Sequence, residues 1–126
     1  MRALDTNVLV RLVTRDDDMQ LATAEAFVEK GAWVSHLALA EATWVLSSVY
    51  GRRAAGIATA VDMLLNHLNL TLQEPDVVRS ALAAFRKRPA LGFSDCLMLE
   101  VARKAGHLPL GTFDRELGGL DGAARL

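Results

Sequence analysis

Arg2-Ala3-Leu4-Asp5-Thr6-Asn7-Val8-Leu9-Val10-Arg11-Leu12-Val13-Thr14-Arg15 decides the fold. Its opening apolar run, Arg2 to Leu4, predicts a buried strand. Val8, Leu9, Leu12 and Val13 recur at helical spacing and predict a helix over Asn7 to Thr14. Between the two stands Asp5, the only charge between Arg2 and Arg11. An acid followed by Thr and Asn just before an apolar helix suits a strand-to-helix turn. In an open α/β sheet, ligands bind outside the carboxyl ends of the strands, where such turns lie. The same residues also serve simply to cap a helix, so Asp5 gains chemical meaning only from its company.

That company consists of two more solitary acids. Glu41 is the only charge between His36 and Arg52, and Asp95 the only one between Arg88 and Glu100. A carboxylate among core residues is costly unless something pairs with it. Neither run holds a Lys or Arg, so a bound cation is the expected partner of all three.

Working outward, strands and helices alternate. Asp16, Asp17 and Asp18 open a helix from about Met19 to Lys30, where acids favour the macrodipole, and Gly31 ends it. Ala32 to Ser35 reads as a second strand. Leu37 to Tyr50 reads as a strongly apolar, largely buried helix ending at Gly51. Arg52 and Arg53 start the next helix, with Ile57, Val61, Met63, Leu64 and Leu65 as its apolar positions. Leu70 to Leu72 is a third strand, and Pro75 suits the first turn of a helix to Lys87. Ala90 to Phe93 is a loop, Ser94 caps a helix to Lys104, Leu108 to Thr112 is a fourth strand, and Ala123 to Leu126 a short fifth. This alternation predicts an α/β fold, a parallel sheet of four to five strands with helices on both faces.

The 126 residues suit one domain, 1–126, long enough to bury a core without disulfides. A hydrophobic fraction of 52% leaves apolar surface for a partner. The net charge of -1 means that any phosphate-binding surface must be local. A single cysteine, Cys96, rules out an internal disulfide and fits a reducing compartment. No signal peptide or long apolar span is recognisable, so a soluble cytoplasmic protein is expected.

Four carboxylates, Asp5, Glu41, Asp95 and Asp114, sit at strand ends or early in the following helix, places that share one edge of a parallel sheet. Oxygen ligands without a His or Cys cluster suit hard cations such as magnesium or manganese, and phosphodiester hydrolysis is their natural use. Asp114, beside charged Arg115 and Glu116, fits an exposed helix cap equally well.

Leu4-Asp5-Thr6-Asn7-Val8-Leu9, the solitary Glu41 in Ala40-Glu41-Ala42-Thr43-Trp44-Val45-Leu46, Phe93-Ser94-Asp95-Cys96 and Gly111-Thr112-Phe113-Asp114 together resemble the PIN-domain ribonucleases, specifically the VapC-type toxins. The resemblance runs in register along essentially the whole chain. It implies a Rossmann-like sheet, a magnesium- or manganese-dependent endoribonuclease, a homodimer and an antitoxin encoded alongside. Asp5, Glu41, Asp95 and Asp114 match the family's acidic quartet, and Thr6 and Thr112 its supporting hydroxyls. Asn7 fits the opening motif, with capping as its alternative role.

Other residues have plainer readings. His36, His67 and His107 lack ligand spacing. Cys96 suits a small core position. Trp33, Trp44 and Phe27 suit core or dimer contacts better than base-stacking platforms. Arg86, Lys87 and Arg88 suit a solvated helix end and are also candidates for RNA phosphate contact. A receiver-like phosphoacceptor would want adjacent acids after the first strand and an acid mid-chain, where Ala54-Ala55-Gly56-Ile57-Ala58 stands. A haloacid-dehalogenase-like phosphatase would want an acid at Asn7. A non-catalytic binding module on the same fold is the remaining alternative, separated from the nuclease by metal-dependent RNA cleavage.

Overall fold

Leu4 leaves the first strand by donating its amide to the Trp33 carbonyl (3.0 Å), which fixes the opening stretch beside the second strand before Asp5 turns the chain. The computed structural model describes residues 1–126. Its elements are β1 (Arg2–Ala3), α1 (Thr6–Thr14), α2 (Asp18–Val28), β2 (Ala32–Val34), α3 (His36–Ser48), α4 (Ala54–Leu65), β3 (Leu70–Leu72), α5 (Pro75–Lys87), α6 (Phe93–Ala105), β4 (Leu110–Thr112), α7 (Arg115–Gly118) and β5 (Ala123–Arg125).

All strand pairs are parallel, as the alternation predicts. The hydrogen bonding divides them into a three-stranded ladder, β1-β2-β3, and a separate β4-β5 ladder. β1 supplies only Arg2 and Ala3, both paired with β2. β2 and β3 alternate buried and exposed residues, so one side of this ladder faces the core. α4 and α5 pack on β3, and α3 packs on α1 and α6. One hydrophobic cluster draws side chains from all seven helices, including Leu9, Leu39, Val61, Val78, Leu97 and Leu117, but no fully buried residue from β4 or β5.

Caps explain the helix starts. Asp5, Asp17, Ser35 and Asp114 each accept a backbone N–H of the helix they precede. Two expectations are corrected. Ser94 is not the cap of α6; Gly92 occupies that position and Phe93 is already helical. The earlier start seats the buried Phe93 ring edge-on against Phe85, with centroids 6.0 Å apart. The fourth strand begins at Leu110 rather than Leu108 because Pro109 has no N–H to give a ladder, whereas the Leu110 amide reaches the Gly122 carbonyl at 2.9 Å.

α3 is less buried than its composition implies. Ala38, Leu39, Ala42, Thr43 and Leu46 face the core, while Trp44 is 65% exposed. Of the two places expected for Trp44, core or dimer contact, the core is excluded, because the buried face of α3 is already filled by smaller residues.

Candidate active site

Asp5 stands past the end of β1 in an extended conformation, and its Oδ1 accepts the Val8 amide at 3.2 Å. Asn7 lies inside the helix, so the cap is Asp5 and not Asn7. Because α1 packs on α3, Thr6 meets Glu41, and its hydroxyl donates to Glu41 Oε2 at 2.8 Å. This bond joins two motifs 35 residues apart. Glu41 is held through Oε2 and is exposed.

Asp95 lies in the first turn of α6, half-buried, with its carboxylate folded back over the helix start. A methyl group placed on Gly92 would sit 3.5 Å from Asp95 Oδ2. Asp114 caps α7, accepting the Leu117 amide at 2.7 Å, and its own amide donates to Thr112 Oγ1 at 3.0 Å. The two supporting hydroxyls thus act differently: Thr6 orients a carboxylate, and Thr112 fixes the backbone of one.

The premise that the solitary acids stand among core residues is overturned for Asp5 and Glu41, which are exposed, while Asp95 is half-buried; Asp114 is exposed, as its reading as a helix cap expects. An acid alone in an apolar run here marks the position that faces water while its neighbours face the core, so desolvation does not force a cation into place. Nor do any three His, Cys, Asp or Glu side chains converge on one point. A dry four-carboxylate cage does not fit this arrangement. A hydrated hard cation does, because magnesium keeps several waters and takes one or two carboxylates. Glu41, oriented by Thr6, and Asp5, the residue before Thr6, offer that donor set.

A groove of about 500 Å³ between α1 and α2 opens beside Asp5 and is walled by Val8, Met19 and Phe27. Arg11 crosses it, donating to Gln20 and, at 2.8 Å, to the Tyr50 hydroxyl. That hydroxyl and nearby Asp16 raise the guanidinium above its ordinary pKa. Cys96 is fully buried, and its thiol is pushed up to about 11 by burial and by Asp95 and Glu100, consistent with a core residue and not a nucleophile.

The basic run at the end of α5 divides. Arg86 faces the seam with α4, whereas Lys87 and Arg88 face Glu100 and Leu120 on the other side. Arg79 on α5 and Arg52 just before α4 line the same seam as Arg86. The signal was available: residues 79 and 86 are two helical turns apart.

Residues 2–123 match the family model described as the PIN domain. The chain belongs to the PIN-domain family. No curated protein and no solved structure matches it. PIN domains are generally nucleases, often dependent on divalent metal ions, so this PIN domain is in general terms a nucleic-acid-acting hydrolase. None of its helices is long and apolar enough to cross a membrane.

Proposed function

We propose that this PIN domain is a magnesium- or manganese-dependent endoribonuclease and the VapC-type toxin of a type II toxin-antitoxin pair, acting in the cytoplasm. The observation that carries the reading is the Thr6–Glu41 hydrogen bond, which unites the first two acidic motifs at the end of β1. Asp5 and Glu41 hold the cation, with Asp95 and Asp114 completing the acidic edge. When bound, the cation activates a water and offsets charge building on the scissile phosphate. Thr6 keeps Glu41 in one orientation, and the α1 cap keeps Asp5 on the same turn. The half-buried Asp95 accepts the proton of the attacking water.

Exposed Leu37, Met98 and Phe113 leave apolar surface for a homodimer. An antitoxin segment lying in the groove between α1 and α2 would end against Asp5 and quench activity. The deciding experiment is cleavage of a mixed RNA pool with manganese and with EDTA, using Asp5→Asn as control. Cutting is expected only for the wild type with metal. Cutting that persists in EDTA or in the variant would overturn the reading.

A further inference from the structure

Three depressions adjoin one another from the start of α6 to the middle of α5. The first, about 300 Å³, lies between Trp44, Ser47, Arg52 and Ser94. The second, about 430 Å³, shares Ala54, Phe85 and Pro89 with it and adds Arg86. The third, about 200 Å³, shares Arg86 and adds Arg79. Together they form a trench along the seam of α4 and α5.

The near end touches the candidate active site. Gly92 and Ser94 line the first depression, and Asp95 Oδ2 lies just beyond the Gly92 α-carbon. Trp44 is one turn along α3 from Glu41, so its exposed indole borders the same edge. The trench is also cationic. Arg52, Arg79 and Arg86 line it with no carboxylate within salt-bridge distance; other cations of the chain, such as Arg53 and Arg115, are also unpaired, and what sets these three apart is that they share one groove. Asp62 is the only acid lining it. In a chain with net charge -1, unpaired guanidinium groups in one groove are a local phosphate-binding feature.

Resting on the nuclease reading above, we propose that the α4–α5 seam is the track for single-stranded RNA leaving the acidic edge. One base stacks on Trp44, the adjoining phosphate meets Arg52, and the strand continues past Arg86 to Arg79. An aromatic platform followed by a cationic groove is how proteins hold single strands without reading their sequence. A base can lie on an exposed indole only when it is unpaired and unstacked, so the platform suits a single strand and not a duplex.

The test is fluorescence anisotropy with a labelled single-stranded RNA in EDTA, which isolates binding from cutting. For wild type, log K should fall linearly with log salt. Arg79→Ala/Arg86→Ala should lower the steepness by about 1.4, from roughly 0.7 for each lost phosphate contact on a single strand. Lys30→Ala, an exposed charge loss away from the seam, should leave it unchanged. Trp44→Ala should weaken binding about 5- to 150-fold, the range for losing one stacked base. Wild-type steepness in the double variant, or an equal loss in Lys30→Ala, overturns the track while RNA cutting by wild type upholds the nuclease. Tight binding of the same RNA annealed to its complement also overturns it. If Trp44→Ala converts a sedimenting dimer to a monomer with RNA affinity unchanged, that face belongs to a second copy and the proposal fails. If wild type neither binds nor cuts RNA, the nuclease reading itself falls.

Discussion

The three-stranded and two-stranded ladders carry the same motif, an acid just past a strand, on very different foundations. β2 and β3 put Ala32, Val34, Leu70 and Leu72 into the core, so the turn at Asp5 rests on packed side chains. β4 and β5 bury no residue fully, and Asp114 is fixed instead by local bonds to Thr112 and Leu117. A shared motif thus reports a shared backbone turn, while what holds the turn in place differs. Packing brings Thr6, the residue after Asp5, onto Glu41; hydrogen bonds within a few residues place Asp114.

The largest expected effect breaks the chemistry of the packed half without breaking its structure. Asparagine caps a helix about as well as aspartate, so Asp5→Asn should keep the Val8 bond and melt within a few degrees of wild type. RNA cutting should nevertheless disappear, measured on a gel with manganese present. Cutting at wild-type rates would remove Asp5 from the reaction.

Next in size is a stability contrast between the halves. Leu39→Ala, at a fully buried position, should cost about 2–5 kcal/mol. Leu110→Ala, on the half-buried β4, should cost about 1 kcal/mol. Denaturant midpoints check both, and equal losses would mean that the two ladders are supported alike.

Thr6→Val sharpens the comparison at a single bond. Removing the hydroxyl frees Glu41 and should lower the cleavage rate about 10- to 100-fold, the usual range for a partner that orients a ligand. Folding stability should change by less than about 1 kcal/mol because both residues meet solvent. An unchanged rate would show that Glu41 needs no orientation.

The smallest effect is electrostatic and lies between α5 and α6. The hydrogen bond from Lys104 holds the Asp76 carboxyl below its ordinary pKa. A depressed folded value stabilises above the unfolded pKa of about 3.9, and that contribution is lost as pH falls through the folded value. Both groups are exposed, so the effect should be slight. Melting curves of wild type and Asp76→Asn should converge in acid and separate only slightly above pH 5. A gap that widened in acid would have the wrong sign.

Much of the fold was legible because its signals are local. Strand and helix order follows from apolar periodicity, Pro75 marks the start of α5, and the glycines at 31 and 106 lie in the left-handed region just past helix ends. The start of α6 is not legible, because Ser94 looks like a cap whereas the helix begins at the buried Phe93. The division of the strands into two ladders was not legible, since no local pattern states which strands share hydrogen bonds.

Asp5, Glu41 and Asp95 are legible as isolated charges, but isolation misstates the burial of Asp5 and Glu41, which are exposed. Isolation in sequence shows that neighbours are apolar; only packing decides which side of the helix the acid occupies. Likewise, Arg86, Lys87 and Arg88 form one basic run in sequence, yet a helix turns about 100° per residue and sends them to different surfaces. The sequence by itself therefore determined the order of elements, the cap at Asp5 and the identity of the acidic residues, because these depend on interactions within a few residues. The tertiary structure alone decided that Thr6 meets Glu41, that Trp44 faces outward and that Arg52, Arg86 and Arg79 line one seam, because helix packing brings together residues that the chain keeps far apart.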